Sequence, residues 1–581
     1  MSNLNEIARL EAEKLIEKAY VLASENSELP GGVRLSGKIE ISKDAQNGDF
    51  ASNHALGNAK ALRSNPRKIA ESLLKYMNFE NTVFSRAEAA GPGFINFFLS
   101  ESWYDKVLKE IIKAGENYGS SDALKGESIL LEFVSANPTG PMHIGNARGG
   151  VLGDSLAAIL NMAGAKCQKE FYVNDYGNQI MNFAASIEAR YMNIALGEDK
   201  YEIPADGYHG EDVIDIAQSC CNEYGKELCR LSSDERREEL SAFGLKYNIE
   251  KMQKDLARYG VNFDRWFFES ELYEADKVNE AVRRLSESGY TYEKDGAVWF
   301  KSSEIISERL RAEGKSEKQI EALDLKDDVL QRANGLYTYF AADIAYHVDK
   351  LETRGFEKAI NVWGADHHGH IARLKGALDA LGLCGEKRLD IVLMQLVKLY
   401  RNGELCVMSK RTGKSISLSD LLDEVPLDAA RWFFNSRPDS PMDFDLDLAI
   451  REDSENPVYY VQYAHARICS LIENLKEAGF KLDEDTQIDT SLLKDESEIE
   501  LIKQLALLPD EIVAAAVFYD PSKINKYLIE LSARFHRFYN SCRIRDAEEN
   551  LLLSRLCLAS CTGIVLKKGL NILGITAPEK M

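Results

Sequence analysis

The spacing of apolar and polar residues divides the chain into three regions that differ in predicted secondary structure. Residues 1–105 combine a helical repeat over Asn3–Glu25 with short apolar runs such as Phe94–Leu99, which predicts a small α+β domain. Residues 106–450 contain apolar runs followed by helical repeats, as in an α/β core. Residues 451–581 show the helical repeat alone, so an all-α domain is expected there.

One stretch in the middle region predicts a binding site as well as a fold. Apolar, partly β-branched residues at 129–134 predict a strand buried on both faces. Pro138 and Pro141 end it in a turn, and apolar residues then recur at helical spacing over 144–162. A helix that begins at the carboxyl end of a buried parallel strand can bind phosphate. We therefore expect a phosphate-containing ligand at this turn, with His143 at its entrance, although a lone histidine there could simply begin the helix.

Two common phosphate fingerprints and the zinc motifs do not fit this sequence. The glycines around Gly145 do not follow the dinucleotide pattern, and Met408 occupies the position where a P-loop ending at Gly413 requires glycine. Asp366 and the histidines that follow it invite a metal interpretation, but their spacing matches no zinc pattern. We expect no metal site of the protein's own.

Composition and charge narrow the function classes. The chain has 581 residues, enough for three or more domains, and its ten cysteines form no C-x-x-C pair, as is typical of a reduced compartment. We identified no signal peptide and no run of about 18 apolar residues, so we expect a cytoplasmic protein without a membrane span. The net charge of −22 disfavours unspecific coating of nucleic acid, but residues 501–581 carry eleven basic and eight acidic residues.

The turn after the predicted strand carries a recognisable motif. The string SANPTGPMHIGN at 135–146 resembles the HIGH motif of class I aminoacyl-tRNA synthetases, and in particular that of the arginyl-tRNA synthetase family. Three further strings are similar to that family and occur in matching order: NGDFASNHAL at 47–56, YVNDYGNQ at 172–179 and YFAADIAYH at 339–347. VMSKRTG at 407–413 resembles the KMSK motif, with Val407 in place of the first lysine.

This resemblance implies a domain plan and an activity. It implies a tRNA elbow-binding domain over 1–105, a Rossmann-like catalytic domain over 106–450 with a helical insertion at about 185–330, and a helical anticodon-binding domain over 451–581. The implied reaction is ATP-dependent activation of L-arginine to arginyl adenylate, then transfer to the 3′ end of arginine tRNA in translation. ATP would bring Mg²⁺ without a dedicated protein cage, and we expect a monomer.

The resemblance also assigns roles in ATP binding. His143, Gly145, Asn146 and Lys410 correspond to catalytic positions, with Asn146 replacing the usual last histidine of the motif. An asparagine still donates hydrogen bonds but cannot carry charge. The implied ATP-binding residues are Pro138, Thr139, Gly140, His143, Gly145, Asn146, Gly364, Asp366, Met408, Ser409 and Lys410.

A second group of residues is expected to recognise arginine. If the chain is helical from Tyr339 onward, Tyr339 and Asp343 share one face. A carboxylate can bind a guanidinium in a bidentate manner, and a phenol can stack on it. The implied arginine-binding residues are Glu132, Ser135, Asn137, His143, Tyr339, Asp343 and His367. Ser135 and Asn137 could instead serve only as capping residues.

The predicted all-α region, residues 451–581, contains aromatic and basic residues that are suited to binding unpaired bases. By the resemblance, the residues expected to contact tRNA are Tyr459, Arg467, Arg537, Tyr539 and Arg543; Tyr527 belongs to the same pattern. Many of these aromatics would also be normal core residues. Two alternatives remain open at this point: a sibling synthetase for another amino acid, which the acid at 343 disfavours, and a non-catalytic RNA-binding protein that has retained the architecture.

Replacement of Lys410 by alanine should slow adenylate formation. The change removes a cation from the side of the transition state where charge develops on the pyrophosphate, so kcat should fall on the order of 10²–10³-fold with little change in arginine affinity. Single-turnover adenylation measures this directly. An unchanged kcat would show that Arg411 or Lys414 carries the role, which the corresponding alanine variants would then reveal.

Overall fold

The amino-terminal part forms a small α+β domain, as predicted. The computed structural model describes residues 3–42, 44–365, 368–406, 416–482 and 488–581. The elements of this domain are α1 (Leu4–Glu25), β1 (Ile39–Ile41), β2 (Phe50–Ser52), α2 (His54–Gly57), α3 (Pro66–Lys75), β3 (Phe84–Ala90) and β4 (Phe94–Leu99). The strands form an antiparallel sheet in the order β1-β2-β4-β3. Asn3 caps α1 and Asn65 caps α3, because each side chain accepts hydrogen bonds from the first turn.

The middle of the chain is organised around a parallel sheet. Its first elements are α4 (Glu101–Ala114), β5 (Ser128–Glu132), α5 (Ile144–Met162), β6 (Lys166–Val173), α6 (Asn178–Leu196), α7 (Glu211–Tyr224), α8 (Ser233–Arg258), β7 (Arg265–Phe268), α9 (Ser270–Glu274), α10 (Lys277–Glu287), β8 (Thr291–Lys294), β9 (Ala297–Phe300), α11 (Ser302–Ala312), α12 (Glu317–Glu321) and β10 (Asp328–Gln331). It continues with α13 (Tyr339–Val348), β11 (Lys358–Gly364), α14 (His368–Ala380), α15 (Gly385–Arg388), β12 (Leu389–Met394), β13 (Val397–Arg401), β14 (Glu404–Cys406), α16 (Leu418–Glu424), α17 (Leu427–Ser436), β15 (Met442–Asp445) and α18 (Leu446–Ala449).

The central sheet is parallel, in agreement with the α/β Rossmann-like core that was predicted. Its strands lie in the order β12-β11-β5-β6-β7, and every neighbouring pair is parallel. The chain proceeds outward from β5 in one direction through β6 and β7, and later returns to the other side of β5 with β11 and β12. The strand order therefore reverses between β5 and β11, which is where open α/β sheets bind their ligands.

The expected helical insertion over 185–330 needs correction. Helices α6, α7 and α8 do form a bundle, but β7 is the edge strand of the central sheet and pairs with β6. Strands β8, β9 and β10 form a separate antiparallel sheet within the same range. The aromatic residues near Trp266 and Trp299 are thus strand residues, because their large side chains pack well on a pleated surface.

Helix α5 lies directly against the central sheet. Gly153 faces the ring of Phe133, and a Cβ added at this glycine would overlap that ring. Both residues belong to the buried core, where Phe133 also packs against Phe263 with 4.5 Å between the ring centroids. A glycine is therefore required for the helix to approach the strand end this closely.

A buried arginine connects the same helix to two distant loops. Arg148 is fully buried, and its guanidinium donates to a group of backbone carbonyls: those of Gln395, Leu396, Arg437, Pro438 and Ser440. Burial lowers the pKa of Arg148 from its usual value. A planar fork of donors suits several carbonyls at once, which a lysine could not satisfy.

The last part of the chain is all-α in the described residues, as predicted. It comprises α19 (Pro457–Glu477), α20 (Glu496–Ala506), α21 (Leu508–Phe518), α22 (Ser522–Ser541) and α23 (Glu549–Ile572). Among the described residues, α23 is a helix long and apolar enough to cross a membrane by length and composition, contrary to our sequence reading. Most of its apolar stretch is buried against the neighbouring helices, as in the core helix of a bundle.

Replacement of Gly153 by alanine should destabilise the core. Since the new methyl group would collide with Phe133, the expected loss is about 1–3 kcal/mol, seen as a lower midpoint of urea unfolding. Gly150→Ala on the same helix is the matched control, because its Cβ would lie 3.5 Å from Val134 in ordinary contact. Alanine favours the helix, so the control should keep or raise stability. Equal midpoints for the two variants would contradict the packing argument.

Candidate active site

A cavity of about 800 Å³ opens at the edge of the sheet where the strand order reverses. Its walls come from the turn after β5, the ends of β11 and β12, and the α6–α7 region. The lining residues are Val134, Ser135, Ala136, Asn137, Thr139, Gly140, Pro141, His143, Asn146, Gln179, Tyr208, His209, Gly210, Asp212, Val362, Trp363, Gly364 and Met394. The volume and mixed lining are suitable for a small polar ligand such as a nucleotide.

The backbone of the turn after β5 is strained. Val134 and Ser135 have φ values of 69° and 41°, in the left-handed region that β-branched residues rarely adopt. The conformation is held by the Ser135 hydroxyl, which donates to Glu132 at 2.9 Å and accepts from the backbone N–H of Tyr172 at 3.2 Å. Strain of this kind persists at sites where the surrounding structure imposes it.

The amino terminus of α5 lies at this cavity, since His143 and Asn146 are among its lining residues. The Asn146 side chain accepts from the His143 backbone N–H at 2.9 Å, which fixes the first turn of the helix. His143 itself is exposed, and it forms an antiparallel bridge with Ser417. The backbone N–H of Leu418 donates to Met142 at 3.0 Å, so the start of α16 is attached beside the motif. The unpaired donors and the helix dipole make this end favourable for a phosphate.

The residues predicted to bind ATP largely meet at this one place. Thr139, Gly140, His143, Asn146 and Gly364 line the cavity. Pro138 and Gly145 belong to the same turn and helix start without being lining residues, and the Pro138 carbonyl accepts from the buried Asn248 at 2.8 Å. Asp366, Met408, Ser409 and Lys410 lie outside the described residues, as does His367 from the predicted arginine group.

Tyr339 and Asp343 lie on the first turns of α13 but differ in surroundings. Tyr339 is half exposed and lines a second cavity of about 720 Å³ beside the first. Asp343 lines neither cavity and contacts two histidines: its Oδ2 lies 2.5 Å from His370 Nε2 and its Oδ1 lies 3.2 Å from His347 Nδ1. Burial favours a higher pKa for Asp343, but the hydrogen bonds that it accepts from His347 and His370 outweigh burial and hold the pKa below its usual value. Asp343 is therefore ionised at neutral pH.

The other residues of the predicted arginine group divide into two sets. Ser135 and Asn137 line the first cavity, where His143 also lies. Glu132 was expected to contact the substrate's ammonium end, but it is buried and its Oε2 accepts from Lys350 Nζ at 2.6 Å. It lines neither of the two cavities. Glu132 therefore already has a cationic partner within the protein.

Glu269 is a buried acid in the second cavity that sequence reasoning missed. It directly follows β7, at the carboxyl edge of the sheet, and lines the cavity with Asp175, Tyr273 and Tyr339. Burial raises the pKa of Glu269 to about 7, with Asp175 and Asp343 adding to the effect and a hydrogen bond from Tyr172 opposing it. Its position after a strand would have been the sequence signal, but β7 was not recognised as a strand.

Asp175 and Glu269 line the second cavity together with the basic residue Arg332, and Asp343 is close to Glu269 without lining the cavity. Glu269 and Asp343 influence each other electrostatically, and Tyr172 is close enough to both for its own pKa to be raised by them, after burial. Tyr176 and Tyr273 stack at 3.9 Å on the wall of the same cavity. Two neighbouring carboxylates beside aromatic rings favour a planar cation such as a guanidinium.

A separate cluster of aromatic and basic side chains lies on α19 and α22. The Arg467 guanidinium is 4.6 Å from the centroid of the Tyr539 ring and 5.3 Å from that of Tyr463. Burial, together with Arg467, lowers the pKa of His536 to about 4. Of the other predicted tRNA contacts, Tyr459 is partly buried whereas Arg537 and Arg543 are exposed. Tyr527 is buried in the core and is not available at the surface.

Three family models match successive parts of the chain. Residues 11–99 match the model of the arginyl tRNA synthetase N terminal domain. Residues 107–445 match the catalytic domain of tRNA synthetases class I (R), and residues 461–581 match the DALR anticodon binding domain. The matched stretches follow the three structural regions described above.

Comparison with known proteins gives full-length relatives. The chain is 49% identical to the arginine–tRNA ligase of Acetivibrio thermocellus and 50% identical to that of Caldanaerobacter subterraneus subsp. tengcongensis, with all of each chain covered. A putative arginyl-tRNA synthetase structure from Campylobacter jejuni is 34% identical, with a TM-score of 0.73 over 83% of this chain and all of the other. Thermus thermophilus arginyl-tRNA synthetase, 22% identical with a TM-score of 0.73 over 99% of this chain and all of the other, has the same fold.

Replacement of Glu269 by glutamine should stabilise the protein in a pH-dependent manner. The folded-state pKa of about 7 lies above the ordinary 4.5, so the folded state binds this proton more tightly and loses stability as pH rises from 4.5 through 7. Glutamine has the same shape and no charge to desolvate. At pH 8 the variant should gain on the order of 1–3 kcal/mol, and at pH 5 much less.

Calorimetric melting at the two pH values measures this difference. Glu274→Gln is the control, because Glu274 is exposed at the end of α9, the short helix that follows Glu269, and its replacement should shift the melting temperature at neither pH. If Glu269→Gln raised the stability equally at pH 5 and pH 8, or at neither, the result would contradict the inference that burial destabilises the ionised carboxylate of Glu269.

Proposed function

Because the chain belongs to the arginyl-tRNA synthetase family, whose members ligate arginine to tRNA at the expense of ATP, we propose that the two adjoining cavities are the ATP and arginine sites of this enzyme. The observation that carries the proposal is their common position. Both cavities open at the carboxyl edge of the parallel sheet, one beside the α5 amino terminus and one lined by Glu269, which has Asp343 close to it. A phosphate site and a guanidinium site are thus adjacent.

ATP binds in the first cavity with its phosphates at the start of α5. The free N–H groups of that helix and the exposed imidazole of His143 supply donors, and Asn146 holds the helix start in place. Gly364 and Trp363, at the end of β11, line the opposite wall and leave room for the adenosine. The family motif implies a further cation for the phosphates in Lys410, which lies outside the described residues.

Arginine binds with its guanidinium in the second cavity. Asp343 is ionised and Glu269 becomes ionised when a cation arrives, so the side chain meets two charge-assisted acceptors beside the Tyr339 ring. Ser135 and Asn137 line the adjoining first cavity, and we assign to them the ammonium and carboxylate ends of arginine. Glu132 acts indirectly, since its own charge is met by Lys350.

Adenylate formation needs alignment more than acid–base chemistry. The arginine carboxylate is already a nucleophile: one of its oxygens attacks the α-phosphorus of ATP, and the bond to the pyrophosphate oxygen breaks. Donors that are fixed at the helix start stabilise the charge that develops on the phosphates without reorganising. Holding both substrates at one sheet edge supplies the proximity.

Magnesium is expected to enter with the nucleotide. It would neutralise charge on the phosphates, and Asp212 is a carboxylate among the residues lining the cavity that could bind it or its waters. Mg²⁺ commonly keeps several waters and uses substrate phosphates as ligands, so a dedicated cage of side chains is not needed.

Transfer to tRNA uses the end domains. The terminal ribose hydroxyl attacks the adenylate carbonyl and AMP leaves, while Arg467, Tyr539, Tyr459, Arg537 and Arg543 hold the anticodon region by stacking and charge. Residues 1–105 contact the elbow of the tRNA. We propose that the enzyme works as a monomer in the cytoplasm, in which translation takes place.

Replacement of Asp343 by asparagine tests the arginine pocket. The change keeps the shape and removes the charge that faces the guanidinium, so kcat/KM for arginine should fall on the order of 10³-fold while the KM for ATP stays near the parental value. Discrimination against citrulline, the neutral isostere of arginine, should shrink in the same variant. ATP–pyrophosphate exchange with tRNA present measures both quantities.

The control for this experiment is Asp379→Asn, an exposed change on α14 that should leave exchange unaltered. Parental kcat/KM for arginine in Asp343→Asn would mean that the pocket has been assigned to the wrong acid. Glu269 would then be the next residue to replace.

A further inference from the structure

Behind Asp343 runs a continuous chain of buried polar side chains that the mechanism above does not use. Lys350 Nζ donates to Glu132 at 2.6 Å and to the Asn361 Oδ1 at 3.0 Å. The Asn361 amide nitrogen lies 2.8 Å from His347 Nε2. His347 Nδ1 in turn lies 2.8 Å from the backbone carbonyl of Asp343 and 3.2 Å from its carboxylate.

The members of this chain are withdrawn from solvent and come from three separate elements. Lys350, Asn361 and His347 are each fully buried. His347 is on α13, Asn361 is on β11, and Lys350 is on a π-helical turn, Asp349–Thr353, which follows α13 directly. π-helical turns are frequent at functional sites, and buried polar networks are costly unless every member is satisfied.

The hydrogen-bonding roles along the chain are determined by the residue types. A lysine ammonium only donates, so the Asn361 atom that faces Lys350 must be the oxygen and the atom that faces His347 must be the NH₂ group. His347 Nε2 therefore accepts and carries no proton. At the other side of the ring, Nδ1 meets a carbonyl and a carboxylate, which only accept, so Nδ1 must donate.

Both ends thus specify one state of His347: a neutral imidazole with its proton on Nδ1. Doubly protonated His347 would place an Nε2–H against the Asn361 NH₂ group, which is itself a donor. The charges agree with this state, since Lys350 offsets Glu132 and Asp343 keeps its negative charge for a ligand. An imidazolium at position 347 would instead cancel the charge of Asp343 inside the protein.

We propose that His347 is a positioning residue for arginine recognition, and that Lys350 and Asn361 act on the substrate through it by fixing its tautomer. The Nδ1–H holds one carboxylate oxygen of Asp343 while His370 holds the other. This leaves an oriented, fully charged carboxylate for the guanidinium. The inference rests on the proposed function, in which Asp343 contacts arginine.

Replacement of Asn361 by aspartate tests the tautomer with a minimal change in shape. The new carboxylate keeps an acceptor for Lys350 but presents an acceptor instead of NH₂ to His347, so the ring should take up a second proton. The ¹⁵N spectrum of the histidine-labelled enzyme should show one protonated and one unprotonated nitrogen for His347 in the parent, and two protonated nitrogens in the variant. The signal among the nine histidines is assigned by its loss in His347→Asn.

The same variant should recognise arginine poorly. We expect the KM for arginine to rise about tenfold to hundredfold with a smaller effect on kcat, the KM for ATP to stay near parental, and arginine–citrulline discrimination to narrow. A parental arginine KM in Asn361→Asp, or a proton on Nε2 of His347 in the parent, would overturn the proposal.

A pair of substitutions at His347 keeps the test valid if Asn361→Asp fails to fold. Asparagine places an amide N–H where Nδ1 lies, so His347→Asn should retain arginine use within a few-fold. Glutamine places its amide near the position of Nε2, so His347→Gln should lose the bond to Asp343 and raise the arginine KM. If the two variants had equal arginine kinetics and equal melting temperatures, the role of His347 would be structural only.

Arginine kinetics of Asp343→Asn, measured in parallel, distinguish failure of the proposed pocket from failure of the positioning role of His347. If Asp343→Asn keeps parental arginine kinetics, the proposed pocket fails. If Asp343→Asn loses arginine use while Asn361→Asp and His347→Gln do not, only the positioning role of His347 fails.

Discussion

The close approach of α5 to the end of β5 is the constraint on which the rest of the structure depends. Gly153 permits it, since any side chain there would occupy the space of the Phe133 ring. Because the helix packs so near the strand, the segment between Glu132 and Ile144 must form a tight, strained turn at the edge of the sheet. That turn is the wall of the first cavity, so a packing requirement in the core determines the shape of the site.

Buried charges then fix the orientation of the same helix. Arg148, on the second turn of the helix, donates to backbone carbonyls that include those of Gln395 and Ser440. Asp154 forms salt bridges with Arg431 at 2.6 Å and with Lys169 at 2.9 Å. Arg431 also donates to the carbonyl of Leu573, beyond the last helix of the C-terminal domain. The free N–H groups at the start of α5 are therefore positioned by contacts with distant parts of the chain, which is a form of preorganisation for phosphate binding.

Sequence reasoning succeeded where the signal was local and failed where it depended on distant pairing. The strand–turn–helix at 128–164 and the placement of Tyr339 and Asp343 on one helix follow from periodicity and turn residues within short windows. Strand β7 has only four residues amid charged helices, so its pattern is too short to identify, and Glu269 was missed with it. Lys350 pairs with Glu132 across 218 positions, and nothing near either residue indicates the other.

The distribution of buried acids explains why this edge of the sheet is suited to a cationic substrate. Glu170 is fully buried but is bonded by Arg354 and Tyr346, and Glu132 is bonded by Lys350, so the deep acids are neutralised within the protein. Glu269 lines the second cavity, and in the described part of the chain no basic side chain is hydrogen-bonded to it, so its burial raises its pKa. An unneutralised buried acid costs stability, and a protein retains such a cost where a ligand supplies the missing charge. In our proposal the guanidinium of arginine supplies this charge. The lack of a cation beside Glu269 lowers the stability of the ligand-free protein, and it also favours binding of arginine over its neutral isostere.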